Sequence, residues 1–158
     1  MRKQKGFSLI ELLIVVAIIL IIAAIAIPNL LRSRMAANEA SAVGSLRTIN
    51  TAEITYASTY PAVGFIALQN LGGAAGATGT SAAAGLLDNV LASGTKSGYS
   101  FAVALTSGTS GNPNPFYSST AKPVLVGQTG QRYFYSDASG VIRYNTTSSA
   151  TSTDLPLQ

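Results

Sequence analysis

The sequence predicts an α+β fold in which one long N-terminal helix packs on a four-stranded antiparallel sheet. Residues 7–27 carry a single charge, Glu11, and these 21 residues at about 1.5 Å per residue match the roughly 30 Å hydrocarbon thickness of a bilayer. A helical pattern continues from there to Tyr60. From Gly98 onward, apolar and small residues alternate, which is typical of half-buried strands. The chain therefore combines a membrane-spanning helix with one small domain.

A short basic segment precedes the apolar one. Arg2, Lys3 and Lys5 lie within the first six residues, and basic residues beside a membrane span favour the cytoplasmic side. We therefore expect the N-terminus in the cytoplasm and the bulk of the chain outside. Residues 25–28 make a poor site for signal peptidase, which prefers small residues after the apolar region.

Residues 6–11 read Gly-Phe-Ser-Leu-Ile-Glu, and this motif resembles the processing site of the type IV pilins and pseudopilins. In that family the leader ends in Gly and the mature chain begins with Phe and carries Glu at its fifth position. The resemblance implies that a prepilin peptidase cuts between Gly6 and Phe7 and methylates the new amino group of Phe7. It also implies a non-enzymatic subunit that assembles into a helical filament.

Glu11 is the feature that distinguishes this segment from a plain membrane anchor. A carboxylate in the middle of a membrane helix costs about 3 kcal/mol on insertion scales, so it usually has a partner. The first turn of a helix favours a carboxylate because its backbone N–H groups are unpaired. The family resemblance implies a second partner, the Phe7 ammonium of a neighbouring subunit, which would set the register of assembly. A plain single-span anchor would give Glu11 no role.

Pro28 follows the apolar run and interrupts its helical pattern. Proline lacks an N–H and its ring crowds the preceding turn, so we expect a bend or a local loosening of the helix here. The resemblance suggests that this point opens when subunits pack into a filament. The alternative is a kink in an uninterrupted helix.

The helix beyond residue 33 is predicted to be amphipathic and to pack one face on the domain. Tyr60 precedes Pro61 and should end the helix, since the residue before proline avoids the α region. The predicted inner face is Ala42, Leu46, Ile49, Tyr56 and Tyr60, and Arg47, Asn50 and Ser58 are among the polar positions.

The rest of the chain is divided into a loop, a sheet and a tail. Within the loop we predict a helix over residues 82–92, capped by Ser81 and ended by Gly94. Strands are predicted over residues 99–105, 122–128, 131–137 and 141–144, with a turn at residues 137–140. The C-terminal segment is expected to be a flexible, exposed, Ser/Thr-rich end. The expected boundaries are 1–6 leader, 7–27 transmembrane or filament-core helix, 28–60 amphipathic continuation, 61–97 loop, 98–145 sheet and 146–158 tail.

Composition argues against several classes of function. The formal charge of +4 includes three leader cations, and the near-neutral remainder does not suit a protein that binds nucleic acid through phosphate. There is no Cys and no His, which removes thiol and imidazole catalysis and most transition-metal sites. We therefore predict no catalytic residue, cofactor, metal or specific nucleic acid, and no enzyme.

An aromatic cluster, residues 133–135 with Tyr144, could stack on a carbohydrate or a base. Alternating aromatics on strands are more often core residues and cross-strand pairs, and we prefer that interpretation.

The predicted function is that of a structural subunit of a type IV pilus, in which Gly6 and Phe7 serve processing and Phe7, Glu11 and Pro28 serve assembly. Its expected partners are identical subunits in a helical filament, a prepilin peptidase, an assembly platform with its ATPase, and the inner membrane before assembly. Adhesion, motility or DNA uptake would follow once the pilus is outside the cell. The alternatives are a pseudopilin of a type II secretion system and a membrane-tethered binding module.

Overall fold

The computed structural model describes residues 6–73, 79–106 and 113–157. It divides the chain into two units, Met1–Arg34 and Met35–Gln158. The predicted leader lies outside the described residues apart from Gly6, as do the centres of two predicted loops, residues 74–78 and 107–112.

One helix dominates the N-terminal part of the chain. Helix α1 (Leu9–Thr59) has 51 residues and contains Pro28, so the predicted long helix is confirmed to within two residues at its start and one at its end. The helix continues through Pro28 without a break in its secondary structure. Opening at Pro28 during assembly therefore stays a prediction.

The second unit contains an antiparallel sheet of six strands in sequential order. Two short helices precede it, α2 (Leu68–Leu71) and α3 (Asn89–Ala92). The strands are β1 (Thr95–Lys96), β2 (Tyr99–Thr106), β3 (Phe116–Pro123), β4 (Tyr133–Asp137), β5 (Arg143–Asn145) and β6 (Leu155–Pro156).

The α+β class is confirmed, whereas the predicted number of four strands is wrong. Strands β1 and β6 have two residues each, too few to show a period of two in the sequence. The predicted strand over residues 122–128 is also misplaced, because β3 is Phe116–Pro123. The aliphatic run at residues 124–126 suggested a strand, but β3 instead buries the smaller Ser119 and Ala121 together with Tyr117.

The predicted helix over residues 82–92 is shorter than expected. Helix α3 begins only after Asp88, whose carboxylate accepts a hydrogen bond from the Leu91 N–H at 2.8 Å, so Asp88 rather than Ser81 is the N-cap. Gly85 has a φ of +67°, which a right-handed helix does not accommodate. Gly94 ends the helix as predicted: its φ is +84° and its N–H binds the Leu91 carbonyl.

The C-terminal segment is partly built into the sheet rather than being wholly exposed. Leu155–Pro156 pairs with β5, and Ala150 is buried. The Asp154 carboxylate organises the segment by accepting hydrogen bonds from the Thr151 N–H at 2.6 Å and from the Asn145 side chain at 2.9 Å. These local hydrogen bonds account for an ordered end that its Ser/Thr-rich composition did not predict.

The core of the second unit lies between the inner face of α1 and the sheet. Four of the five predicted helix positions are fully or almost fully buried, and Tyr60 is partly buried. Asn50, assigned to the polar positions, is buried as well: its amide nitrogen donates to Ser136 Oγ at 2.7 Å and its carbonyl accepts from Tyr117 Oη at 3.2 Å. A helix residue thus reaches two strands of the sheet.

Replacing Ile49 by Ala should destabilise the second unit by about 2–5 kcal/mol, because the substitution leaves a cavity under a fully buried side chain. The same change at Ile54, which is 51% exposed on the same helix, should alter the free energy of unfolding by less than about 0.5 kcal/mol. Urea unfolding of the two detergent-solubilised variants measures the difference. Equal losses would contradict the assigned helix face.

Candidate processing and assembly site

The predicted cleavage site lies in the extended segment before α1. Gly6 is exposed, and a Cβ built on it meets no heavy atom within 4 Å. The Phe7 side chain is 76% exposed. No described residue thus covers the peptide bond between Gly6 and Phe7.

Glu11 occupies the first turn of α1 and caps it. The Ser8 N–H donates to Glu11 Oε2 at 2.9 Å, and the Leu12 N–H donates to the Ser8 carbonyl at 3.2 Å. A Ser followed three residues later by Glu is the capping-box pattern, in which the carboxylate satisfies a backbone N–H that has no helical partner. Among the described residues no basic side chain pairs with the Glu11 carboxylate.

The described surface of the first unit is mostly aliphatic from Leu9 to Leu31. Among the described helices, α1 is the one that is long and apolar enough to cross a membrane. The large apolar side chains of its N-terminal half are all more than two-fifths exposed, among them Leu9, Ile14 and Ile25. Such a surface requires lipid or other apolar helices around it.

Pro28 lies directly after this aliphatic surface. Because proline has no N–H, the carbonyl of Ala24 lacks the hydrogen bond that it would otherwise accept from position 28. The helix thus has one backbone hydrogen bond fewer at Pro28, where its apolar part ends.

Glu39 holds the second unit's helix against the sheet, a role that the sequence analysis did not assign. Its Oε2 accepts from Arg132 Nε at 2.7 Å, and its Oε1 accepts from the backbone N–H groups of Gln131 and Arg132 at 2.9 and 3.2 Å. The guanidinium of Arg132 also lies over the Phe134 and Tyr144 rings. The spacing of Glu39 from Ala42, three residues on the same helical face, was a signal for its burial.

Glu53 is a second buried acid on the same face and is fully enclosed. Its Oε2 accepts from the Ile66 N–H at 3.1 Å, while Oε1 has no hydrogen-bond partner among the described residues. Burial raises the pKa of the Glu53 carboxyl from 4.5 to about 7, and the hydrogen bond from Ile66 opposes the shift. Burial also raises the pKa values of the neighbouring Tyr56 and Tyr117, so neither phenol ionises near neutrality.

The aromatic cluster belongs mainly to the core. Phe134 is fully buried and packs on Tyr99 with their ring centroids 5.9 Å apart. Tyr133, Tyr135 and Tyr144 are half-buried on adjacent strands. These contacts support the core interpretation over a stacking site for a ligand.

Raising the pH from 5 to 8 should lower the free energy of unfolding by about 2–3 kcal/mol, because the pKa of Glu53 is higher in the folded protein than in the unfolded chain. The folded state then holds the proton more tightly, so stability falls as the pH rises from about 4.5 to about 7 and levels off above that. Urea unfolding at several pH values measures this slope, and the chain has no His to obscure it.

The matched control is Glu53→Gln, which keeps an acceptor for the Ile66 N–H without an ionisable group. This variant should lose most of the slope and be the more stable protein at pH 8. An unchanged slope in the variant would assign the pH dependence to another group.

Comparison with known proteins agrees with the N-terminal features. Residues 1–27 match the prokaryotic N-terminal methylation motif. The chain is 67% identical over 39 residues to the type IV wide pilus major component PilA4 of Thermus thermophilus. The aligned residues are 25% of this chain and 30% of that protein. It is 45% identical over 56 residues to the type IV major pilin protein PilA of Myxococcus xanthus, covering 35% and 26% of the two chains.

A third relative comes from a secretion system. The type II secretion system core protein G of Vibrio cholerae is 39% identical over 64 residues, which cover 39% of this chain and 44% of that protein. The matched regions thus span less than half the length of these relatives, and no solved structure matches the chain. The predicted family resemblance is confirmed: the first 27 residues are a type IV prepilin motif, and the chain is similar to type IV pilins and to pseudopilins.

Proposed function

We propose that this chain is a structural, non-enzymatic subunit of a type IV pilus that is processed between Gly6 and Phe7 and assembled into a helical filament outside the cell. The observation that carries the proposal is the methylation motif at residues 1–27 on a helix whose aliphatic surface is exposed. Two of the three relatives described above are named as pilus subunits, which favours the pilus over other assemblies.

Before assembly the chain is anchored in the inner membrane with its N-terminus in the cytoplasm. Arg2, Lys3 and Lys5 retain that end on the cytoplasmic side, where a prepilin peptidase removes the leader and methylates Phe7. Cleavage also removes the three basic side chains of the leader and moves the chain's amino group to Phe7, four residues from Glu11. Processing therefore changes the electrostatics at the end of the span.

Glu11 is the proposed assembly residue. Its carboxylate already accepts the Ser8 N–H, but that neutral donor does not cancel its charge. In the low dielectric of packed helices an unneutralised charge is costly, and a neighbouring subunit's Phe7 ammonium would remove that cost. Because this pairing is satisfied at one axial offset between subunits, it would fix the register of the filament.

The remaining energy of assembly comes from helix packing and from ATP. Apolar helices gain little from mutual contact while lipid surrounds them, so extraction by an inner-membrane platform and its ATPase is required. Opening of α1 at Pro28, where one helical hydrogen bond is already missing, would let the apolar segments pack and give the filament an extensible segment.

A pseudopilin is the second candidate, favoured by the similarity to the secretion protein of Vibrio cholerae. The same motif, cleavage and Glu11 pairing would apply, but the filament would be short and confined to the cell envelope. A membrane-tethered binding module is a third possibility, and it needs neither cleavage nor Glu11.

Replacing Glu11 by Gln should abolish surface filaments while leaving a processed, membrane-bound subunit. The amide can still accept the Ser8 N–H, so α1 retains its cap, but it cannot neutralise an ammonium group. Electron microscopy of the cells, with immunoblots of the sheared and membrane fractions, measures filament and subunit separately.

The control is Leu13→Ile, a volume-conserving change in the adjoining turn, which should leave filaments present. Wild-type levels of filament from Glu11→Gln would contradict the pairing. Surface function that survives both Glu11→Gln and a bulky substitution that blocks cleavage, Gly6→Leu, would favour the tethered binding module.

A further inference from the structure

The sheet of the second unit has an outer face, which points away from α1. Burial alternates along β3 and β4, and the buried positions include those that bind Asn50 of the helix. Phe116, Ser118 and Tyr135 therefore project from the opposite side. Tyr135 differs in this from its neighbour Phe134, which belongs to the core.

An open cleft with a volume of about 420 Å³ lies on this outer face, within the roughly 300–1,000 Å³ that is usual for small-molecule sites. The cleft exists because the side chains in its middle are small or short. Ala104, Ser118 and Asp137 stand opposite one another across β2, β3 and β4. Phe116 and Tyr135 rise on either side of this row, offset by about 13 Å along the strands.

Phe116 offers an aromatic surface at one end of the cleft. Its side chain is 63% exposed although it lies within a strand. It takes part in none of the ring contacts found among the described residues. An unpartnered ring at the edge of a cleft suits a ligand that has a flat apolar face.

Hydrogen-bonding groups converge on the other side of the cleft. Asp137 Oδ1 accepts from the N–H and the hydroxyl of Ser139, which orients the carboxylate and leaves Oδ2 as an acceptor for a ligand. Burial and the nearby Asp137 carboxylate raise the pKa of the Tyr135 phenol, whereas Ser118 and Arg143 oppose the rise. The phenol is therefore a protonated donor at neutral pH. The cleft thus presents both donors and acceptors.

Charge narrows the class of ligand that the cleft can hold. Asp137 is the only charged residue among the described residues that line it. A carboxylate repels phosphates and acidic sugars. An organic cation would use the carboxylate and the rings but none of the hydroxyl groups. A neutral pyranose sugar uses all of them, because it has C–H groups on one face and hydroxyl groups around its rim.

We propose that the cleft between Phe116 and Tyr135 binds a neutral carbohydrate, with one face of a sugar ring packed on Phe116 and its hydroxyl groups bonded to Asp137, Tyr135 and Ser139. The site lies wholly within the second unit. It requires neither insertion of residues 7–27 into a bilayer nor assembly of a filament.

The test is saturation-transfer NMR on the full-length chain in micelles of a polyoxyethylene detergent, which carries no sugar. Lactose is the probe because it is neutral and its galactose unit has an unbroken C–H face. We expect saturable transfer that is strongest at the C–H protons of that face. N-acetylneuraminic acid, which carries a carboxylate, should show at least about 10-fold weaker binding.

Two substitutions test the assigned contacts. Phe116→Ala should weaken lactose binding roughly 5–10-fold, because it removes the ring on which the sugar packs. Asp137→Asn keeps an oxygen for the Ser139 N–H but removes the charge, and should weaken binding about 5-fold. Neither side chain belongs to the buried core, and circular dichroism checks that both variants fold.

Val126→Ala is the matched control. Val126 is 60% exposed in the same unit and does not line the cleft, so this variant should bind lactose as the unchanged chain does. Loss of binding in the control as well would assign the signal to the fold as a whole and overturn the site.

Three further results would overturn the proposal. One is the absence of saturable transfer to lactose. The second is equal affinity of the unchanged chain, Phe116→Ala and Asp137→Asn. The third is saturable binding of choline without binding of lactose, which would make the cleft a site for organic cations. None of these results bears on the filament, because the measurement includes no assembly machinery.

Discussion

A single carboxylate among the otherwise uncharged residues 7–27 is the constraint on which the rest of the proposed mechanism depends. Glu11 is the one charged residue in residues 7–27, and a charge among aliphatic side chains in lipid or between packed helices is unfavourable unless it is paired. Its one described hydrogen bond comes from the neutral Ser8 N–H. That bond caps the start of the helix, and no described basic side chain pairs with the carboxylate. In the proposed function, the amino group that cleavage would create at Phe7 supplies a counterion in a neighbouring subunit, so cleavage and assembly would be coupled through Glu11.

The same helix has a second constraint in its C-terminal half, where polar residues rather than aliphatic ones orient the sheet. Glu39 binds the segment before β4, and Asn50 joins strands β3 and β4. Buried polar groups of this kind contribute less to net stability than to the choice of one arrangement, because every alternative leaves a donor or acceptor unsatisfied. Glu53 is the exception, since one of its oxygens has no partner among the described residues and its burial costs stability near neutral pH. These contacts make the C-terminal half of the helix specific to its sheet.

The sequence predicted best those elements whose hydrophobic pattern is long or whose turn residues allow one interpretation. The 51-residue helix follows from an apolar pattern before Pro28 and an amphipathic pattern after it, and the β4–β5 turn follows from Asp137 and Gly140. Strand β3 was misplaced because three consecutive aliphatic residues suggested a buried strand, whereas the strand itself buries Ser119 and Ala121 beside Tyr117. The two-residue strands β1 and β6 depend on tertiary pairing that no local pattern encodes. At the candidate site, the motif indicated Gly6, Phe7 and Glu11. Glu39 and Glu53 lie three or four residues from predicted inner-face positions, but their burial was not predicted because acids are seldom buried.

In the proposed function, this chain becomes a filament subunit only after its leader is removed. The intact mass and N-terminal residue of the protein in fibres sheared from cells that express it at native level test this most directly. A chain that begins at Phe7 and carries one added methyl group is the expected result. Sheared fibres built from a chain that still begins at Met1 would contradict it.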